Sequence, residues 1–276
     1  MMRDRSSYYD MIGFMAETGP TEDGLPQVPD LARTALFLDF DGTLVDIAER
    51  PDAIAVKENL EEILLKLDER TGGAVAIVSD RPLADLERRL PRWHGTLIGS
   101  QGAERRHRGR TDIAPEAGAE KLAELVDIVR TWAAHHDAVM LEEKPASLAL
   151  HFRRAPELQP DCVRLLHALT ENLDDYVVRH ASMAVELMPA RICKRCAVEE
   201  LMQDWAGRIP VAIGDDQSDE GMLALAEEMG GWGVKVGDAD TVAGHRVQSV
   251  ADLHRGLLSW LIPAPASVPA PARTPA

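Results

Sequence analysis

The stretch Leu36-Phe37-Leu38-Asp39-Phe40-Asp41-Gly42-Thr43-Leu44 decides the fold of this chain. It begins with a short apolar run that has the length and composition of a buried strand, and Gly42 lets the backbone turn sharply out of that strand. Asp39 and Asp41 therefore lie at the carboxyl end of a strand, which is where open α/β sheets bind their ligands.

The spacing of these two carboxylates predicts their chemistry. Two residues apart on an extended chain, Asp39 and Asp41 point to the same side, while Phe40 points into the protein. Crowded carboxylates are costly unless a cation or a shared proton separates them. We therefore expect a divalent metal and a division of labour, in which one carboxylate attacks a substrate and the other transfers a proton. The alternative is a strand followed by an ordinary polar turn.

Composition limits the functional classes. With 276 residues and 45% apolar content, the chain can hold one large or two modest soluble domains. A net charge of −16 argues against nucleic acid or an anionic membrane as a partner. The start of the chain lacks a clean apolar leader segment, and three cysteines are too few for a disulfide framework. Together these features favour the cytoplasm.

The apolar pattern alternates between strands and helices in two parts of the chain. Such an alternation with short connections predicts a parallel sheet and an α/β fold. The first part predicts strands at 35–39, 74–78 and 96–99 and helices at 57–67 and 82–90. The second part predicts helices at 193–205, 219–229 and 250–260 and strands at 210–213 and 232–236.

Between these two parts the rhythm changes. A charged hairpin at 104–111 is followed by a pattern that predicts three antiparallel strands and two helices, which is typical of a separate α+β unit. We therefore expect a discontinuous core with an inserted unit, flanked by a loosely held N-terminal extension and a disordered Pro/Ala tail. The core comprises 31–104 and 189–262, the insertion 105–188, the extension 1–30 and the tail 263–276.

Further polar residues follow the predicted strands or begin the predicted helices. If the reaction is phosphoryl transfer, Asp39 attacks phosphorus and Asp41 protonates the leaving oxygen and then activates water. Ser79 donates a hydrogen bond to a phosphoryl oxygen, and Lys194 supplies a fixed positive charge. Taken alone, Ser79 also fits a helix N-cap, and Lys194 fits a solvated helix residue.

The carboxylates at the ends of the predicted strands also predict a magnesium site. Mg²⁺ prefers oxygen ligands. We expect Asp39, the carbonyl of Asp41 and Asp215 to hold it, with Asp216 and Asp219 in support.

Four motifs, LFLDFDGTL, AIVSDR, the Lys194 region and IGDDQSDEGML, resemble in order those of the haloacid-dehalogenase-like phosphatases. Within them the chain is most similar to the trehalose-6-phosphate phosphatases, through GDDQSDE, GAERR at 102–106, LALHFRRAPE at 148–157 and VELMP at 185–189. The resemblance implies a Rossmann-like core, an α/β cap inserted after the third strand, Mg²⁺, and a functional link to a trehalose-6-phosphate synthase.

The inserted unit also carries candidate substrate contacts. Alternation along its strands predicts one polar sheet face, which is either a sugar-phosphate site or an ordinary solvated face. The resemblance favours the first reading and adds two residues of the loop after the third core strand. The candidate contacts are Gln101, Gly102, Glu142, Lys144, His151, Arg153 and Glu186.

Several positions depart from the family pattern. The family usually has S-G-R where this chain has Ser79-Asp80-Arg81, and histidine where Gln101 stands. Met188 and Arg195 also differ. The departures leave three readings open: a phosphatase for trehalose 6-phosphate, one for another sugar phosphate of the sucrose or glucosylglycerol type, and a sugar-phosphate-binding regulator with impaired turnover. The spacing Cys193-x-x-Cys196 allows redox control or metal binding, although a single pair is a weak signal.

Overall fold

The computed structural model describes residues 22–28, 30–47, 54–57, 59–113, 119–144, 146–173, 175–181 and 183–262. Within these ranges the chain forms thirteen strands and seven α-helices. The strands are β1 (Glu22–Asp23), β2 (Thr34–Asp39), β3 (Val75–Val78), β4 (Thr96–Gly99), β5 (Glu104–His107), β6 (Arg110–Ile113), β7 (Met140–Glu143), β8 (Leu148–His151), β9 (Tyr176–Ala181), β10 (Ala184–Pro189), β11 (Ile209–Gly214), β12 (Trp232–Val236) and β13 (His245–Val247). The helices are α1 (Leu60–Thr71), α2 (Leu83–Arg89), α3 (Ala119–Ala133), α4 (Gln159–Thr170), α5 (Lys194–Asp204), α6 (Glu220–Glu228) and α7 (Val250–Leu261).

Nine strands form one large sheet in the order β1-β13-β12-β11-β2-β3-β4-β5-β6. The neighbours from β1 to β4 are parallel, and β5 and β6 add an antiparallel edge. Every residue of the central strand β2 is buried, with Leu36 and Leu38 in one core cluster and Phe37 in another. A strand covered on both faces explains the continuous apolar run that precedes Asp39.

The register of the sheet brings together the strand ends that carry the candidate site residues. In β2, Leu38 lies opposite Ile213 of β11 and Ile77 of β3, and Asp39 lies opposite Val78. Because parallel strands end at the same edge of a sheet, the loops after β2, β3 and β11 meet at one place.

Helices cover both faces of this sheet. The apolar stripe of α1 packs on one face through Leu60, Ile63, Leu64 and Leu67, together with residues of α7. Residues of α5 and α6 pack on the opposite face. The result is the expected three-layer α/β core, in which α5 and α6 begin beside the tips of β2 and β11.

The second sheet has the order β7-β8-β10-β9 and is antiparallel throughout. Helices α3 and α4 cover one face through a core that includes residues of β8 and β10. On the opposite face Glu142, Ala149, Glu186 and Arg179 form one row across the four strands. The α+β character of the inserted unit is therefore as expected.

Three details of the middle part of the chain differ from the sequence expectations. The charged hairpin of β5 and β6, which was expected to leave the core, pairs with β4 and extends the large sheet. Strand β9 has a mixed, half-buried side-chain pattern and was not expected. Strand β8 ends at His151, because the chain turns at Arg153 after one further backbone hydrogen bond, from the N–H of Phe152 to the carbonyl of Met183.

Residues 1–21 and the tail 263–276 lie outside the described residues, so the predictions of a loose extension over 1–21 and of a disordered tail stay predictions. Within the predicted extension 1–30, Glu22–Asp23 instead pairs with β13 in the large sheet. None of the described helices combines the length and the apolar content that crossing a membrane requires.

Candidate functional site

Asp39 is the last residue of β2 and lies against the ammonium group of Lys194. Lys194 is the first residue of α5, and its Nζ donates to Asp39 Oδ1 and to Asp219 Oδ1, each at 2.8 Å. All three side chains are at least 95% buried. A buried lysine is stable only with such partners. Although burial acts to lower it, the charges of Asp219 and Asp39 raise the pKa of Lys194 well above its usual value.

The carboxylates at this edge outnumber the cation that faces them. Burial raises the pKa of Asp39 well above its usual value, and the charges of Asp219 and Asp215 add to this rise, against the opposite effect of Lys194. Burial also raises the pKa of Asp219 to about 7. Any additional positive charge placed among these oxygens therefore stabilises the site.

Asp41 lies just beyond the strand and is held by an arginine. Arg81 donates from Nε to Asp41 Oδ2 at 2.6 Å and from Nη2 to Asp41 Oδ1 at 2.9 Å. The same guanidinium also contacts Asp85 on α2. The fork orients Asp41 at the edge of the site, with Phe40 fully buried between the two aspartates, as predicted from the pleat.

Asp215 is pressed against the loop that follows Asp41. Thr43 Oγ1 donates to Asp215 Oδ1 at 3.1 Å. Gly42 adopts a left-handed backbone conformation with φ of +84°, and a Cβ at this position would overlap the Asp215 carboxylate. Glycine is therefore required twice at residue 42, by the turn and by the close approach of the carboxylate.

Asp39, Asp215 and Asp219 each present an oxygen within 4.8 Å of the others, a group that could hold a metal ion. Asp219 is already engaged, because its Oδ2 accepts the backbone N–H groups of Asp215 and Asp216 and its Oδ1 accepts from Lys194. It therefore shapes the loop after β11. Asp216 is exposed, and its Oδ1 accepts from the backbone and hydroxyl of Ser218.

Ser79 follows β3 and is buried beside the aspartates. Its Oγ accepts the backbone N–H of Arg81 at 3.1 Å, which leaves the hydroxyl proton able to donate elsewhere. The next residue, Asp80, places Oδ1 3.3 Å from Lys194 Nζ. This contact adds a third carboxylate to the lysine, at a position where the resemblance leads us to expect glycine.

The candidate substrate residues of the second sheet fall into pairs. Lys144 Nζ donates to Glu186 Oε1 at 3.0 Å, and the hydroxyl of Ser147 donates to the same oxygen. His151 Nε2 lies 2.7 Å from Glu142 Oε2. Arg153 is exposed in the turn after β8 and does not continue the strand, in contrast to the expected alternation.

Gln101 and Gly102 form the 3₁₀ turn Ser100–Gly102 after β4. Gln101 Oε1 accepts a hydrogen bond from Arg179 Nη1 at 2.6 Å, so strand β9 of the second sheet reaches the core here. Gly102 has φ of +112°, and a Cβ on it would be 3.1 Å from the Cys193 carbonyl oxygen. This turn therefore lies against the start of α5, which carries Lys194.

Sequence reasoning did not assign Arg81, Arg179 or Ser147 to the site. Arg81 was one of many arginines between residues 81 and 110, and only its position beside Ser79 could have singled it out. Arg179 lies on the strand that was not expected, where the segment YVVRHA at 176–181 contained a weak β signal.

The two cysteines beside Lys194, for which the sequence allowed redox control or metal binding, lie next to each other. The structure joins Cys193 and Cys196 in a disulfide across the first turn of α5, where Cys193 Sγ also caps the helix by accepting the N–H of Cys196. Cys162 is a free, buried cysteine in the second unit. A pair three residues apart constrains only one helical turn and is no disulfide framework.

Comparison with known proteins identifies relatives along most of the chain. The family model described as trehalose-phosphatase matches residues 37–252. A probable trehalose-phosphate phosphatase of Sinorhizobium fredii is 40% identical over 214 residues, which cover 75% of this chain and 79% of that protein. The trehalose-6-phosphate phosphatase of Escherichia coli is 33% identical over 243 residues, which cover 86% and 89%. A bifunctional trehalose-6-phosphate synthase/phosphatase of Thermoproteus tenax is 30% identical over 242 residues, 84% of this chain and 32% of that longer protein.

Solved structures support the fold. A trehalose-6-phosphate phosphatase of Aspergillus fumigatus superposes with a TM-score of 0.69 at 21% identity, covering 88% of this chain and 98% of that one. A haloacid-dehalogenase-like hydrolase of Bacteroides thetaiotaomicron gives a TM-score of 0.59 at 16% identity, covering 83% and 98%. At these identities the likeness is one of architecture, with a similar core and a similar inserted unit.

Proposed function

Because the chain belongs to the trehalose-phosphatase family, we propose that it hydrolyses trehalose 6-phosphate to trehalose and inorganic phosphate. The observation that carries the proposal is the contact between Asp39 and Lys194, a carboxylate at the tip of the central strand held 2.8 Å from a buried ammonium group. A nucleophile beside a fixed positive charge is what phosphoryl transfer requires.

Asp39 is the nucleophile in this proposal. One of its carboxylate oxygens forms a bond to phosphorus as the bond between phosphorus and the sugar oxygen breaks, which leaves an aspartyl-phosphate and a free sugar. Water then attacks phosphorus, and the Asp39 carboxylate leaves. Lys194 stabilises the charge of the phosphoryl oxygens in both steps, because its ammonium group is already fixed by Asp39 and Asp219.

Asp41 transfers the protons. It donates one to the departing sugar oxygen and takes one from the attacking water. Both of its oxygens are held by Arg81, so the carboxylate must exchange one of these hydrogen bonds for a contact with the leaving oxygen. Ser79 completes the phosphate contacts, since its hydroxyl proton is available for a phosphoryl oxygen.

The residues fit a magnesium ion. Asp39 and Asp215 offer carboxylate oxygens, and Asp215 packs closely on Gly42, the residue that follows Asp41. We assign the two carboxylates and the carbonyl of Asp41 as the ligands and Asp219 and Asp216 as supports of the loop that presents Asp215. When bound, Mg²⁺ neutralises charge on the phosphoryl oxygens and on the crowded carboxylates.

The polar face of the second sheet supports recognition of the sugar. Glu186 accepts from Lys144, and His151 faces Glu142, so both carboxylates are oriented and can accept from sugar hydroxyls. We extend the contact set to Gln101, Gly102 and Arg153, which lie in turns. Closure of the inserted unit over the core would exclude water from the phosphoryl group.

The cellular setting forms part of the proposal. Some relatives join the phosphatase to a trehalose-6-phosphate synthase in one polypeptide, and we propose a functional link to such a synthase. We also propose a cytoplasmic location, because three cysteines are too few for the disulfide framework that is typical of small exported domains.

The test is phosphate release from trehalose 6-phosphate, sucrose 6-phosphate, glucosylglycerol phosphate and glucose 6-phosphate with Mg²⁺, with Asp39→Asn as the control. We expect trehalose 6-phosphate to be the best substrate and Asp39→Asn to be inactive. If phosphate is released from trehalose 6-phosphate no faster than from glucose 6-phosphate, the proposed substrate is wrong. Activity in Asp39→Asn would contradict the assignment of Asp39 as the nucleophile. Tight binding without release would favour a regulator.

A further inference from the structure

Asp80 lies beside the proposed phosphate site without an assigned role. Its Oδ1 is 3.3 Å from Lys194 Nζ, so three carboxylates surround this one ammonium group. Asp39 is the nucleophile and Asp219 holds the loop after β11. Asp80 remains as a further anion next to the charge that must receive the phosphoryl oxygens.

The three carboxylates differ in how firmly they are held. The side chains of Asp39 and Asp219 are 5% and 0% exposed, whereas that of Asp80 is 48% exposed. Within the described part of the chain, the partner of Asp80 besides Lys194 is the amide of Gln101, with Nε2 3.5 Å from Asp80 Oδ2. Because Asp80 is half in solvent and weakly held, it can leave Lys194 at little cost, while the other two cannot.

Asp80 has no evident part in the fold. Helix α2 begins at Leu83 after Pro82, and no side chain caps its first turn. The backbone at Asp80 is not among the residues with positive φ, so it demands no special residue. The contacts of its carboxylate are those with Lys194 and Gln101.

We propose that Asp80 is an internal anion that competes with the phosphoryl group for the ammonium of Lys194 and so sets how tightly the site holds phosphate. The proposal rests on the proposed phosphatase function. In the open site the Asp80 carboxylate occupies Lys194, and an arriving phosphate dianion displaces it into solvent. Its return after hydrolysis favours the release of inorganic phosphate, because both anions need the same cation.

Asp80 and Gln101, which both depart from the family pattern, contact each other. Gln101 stands where the family usually has histidine, and it contacts Asp80 through Nε2 while its Oε1 accepts from Arg179. An amide can donate to a carboxylate and accept from a guanidinium at the same time. Gln101 thus connects Asp80, through one long contact, with Arg179 on strand β9 of the second sheet.

The test is calorimetric titration of the Mg²⁺-loaded protein with inorganic phosphate. Asp80→Asn keeps the shape of the side chain and removes its charge. We expect it to lower the Kd for phosphate about fivefold, the upper range for a half-exposed ion pair. Asp80→Gly, which removes the side chain altogether, should have the same effect. Asp127→Asn makes the same change in net charge on an exposed residue of α3 and should leave the Kd unchanged.

Three results of this titration would contradict the proposal. An unchanged or raised Kd in both Asp80 variants, with wild-type protein binding phosphate, overturns the role of Asp80 and leaves the phosphatase function standing. Equal tightening in Asp127→Asn reduces the effect to net charge and overturns it as well. A lack of phosphate binding by all four proteins overturns the role of Asp80 together with the proposed phosphatase function.

Discussion

Arg81 holds both carboxylate oxygens of Asp41, with Nε 2.6 Å from Oδ2 and Nη2 2.9 Å from Oδ1. The general acid and base of the proposed reaction is thus oriented by a residue 40 positions later in the chain, two residues after Ser79. A planar fork fixes the plane of the carboxylate as well as its position. Arg81 is therefore a positioning residue for proton transfer.

Replacing Arg81 should impair the chemical step. We expect Arg81→Lys to lower kcat/KM for trehalose 6-phosphate by about 10²-fold, because lysine keeps the charge but cannot hold both oxygens of Asp41. Steady-state kinetics checks this. Arg88→Ala is the matched control, since Arg88 is exposed and contacts Asp85 without reaching Asp41. Wild-type kinetics in Arg81→Lys would show that the fork is dispensable.

Removing the ammonium of Lys194 should destabilise the fold. Lys194→Met leaves the buried carboxylates of Asp39 and Asp219 without their cation, and we expect the free energy of unfolding to fall by about 3–5 kcal/mol. Mg²⁺ should restore part of the loss by supplying positive charge. Urea denaturation with and without Mg²⁺ measures both effects. Lys57→Met, which breaks an exposed ion pair with Asp46, should change stability by less than about 1 kcal/mol.

Removing the metal should abolish activity and lower thermal stability. Chelation by EDTA should stop phosphate release, and saturating Mg²⁺ should raise the Tm of the wild-type protein, because a ligand that binds the folded state stabilises it. Asp215→Asn should lose this rise in Tm. Asp216→Asn should keep most of it, since Asp216 is exposed and its carboxylate faces Ser218. An equal rise in wild type and Asp215→Asn contradicts the ligand assignment.

Gly42→Ala should disrupt the metal site as well as the turn. Gly42 and Gly73 have φ of +84° and +86°, so alanine carries similar backbone strain at both, about 1–3 kcal/mol. Only at residue 42 does the added Cβ overlap Asp215, because the space around Gly73 is open. We therefore expect Gly42→Ala to lose the Mg²⁺-dependent rise in Tm, and Gly73→Ala to keep it. Thermal unfolding of the two variants with Mg²⁺ compares them directly.

His254 should make stability depend on pH. Its Nε2 lies 2.9 Å from the carbonyl oxygen of Leu44, just after the Asp-Gly-Thr turn, so the neutral ring donates from Nε2. Burial lowers the pKa of His254. The unfolded state, with a pKa near 6.5, therefore takes up the proton first as the pH falls. The stabilisation is complete above about pH 7 and is lost progressively below about pH 6.5.

The free energy of unfolding at pH 7.5 and 5.5 measures this effect. His254→Gln should lose less stability between the two values than the wild-type protein does. His135→Gln, a change at an exposed histidine of the second unit, should retain the wild-type loss. Equal losses in wild type and His254→Gln would contradict the assignment.

The local pattern predicted most of the core because each of its signals acts over a few residues. The apolar run before Asp39, the stripe of α1 and the break at Gly72 depend on neighbours in the chain, and the structure contains them with shifts of one to four residues at their ends. The charged hairpin of β5 and β6 was misplaced for the same reason. Its arginines are typical of a solvent-exposed hairpin that leaves the core, whereas its backbone completes the edge of the large sheet.

The sequence by itself determined the candidate residues of the site, because the spacing of Asp39 and Asp41 and the order of Ser79, Lys194 and Asp215 specify which groups stand at strand and helix ends. Only the tertiary structure decided their pairing. The contacts of Arg81 with Asp41, Arg179 with Gln101 and Asp80 with Lys194 span from 40 to 114 residues of chain. Such contacts depend on how strands and helices pack and on which charges burial leaves without water. A one-dimensional pattern does not contain these distances.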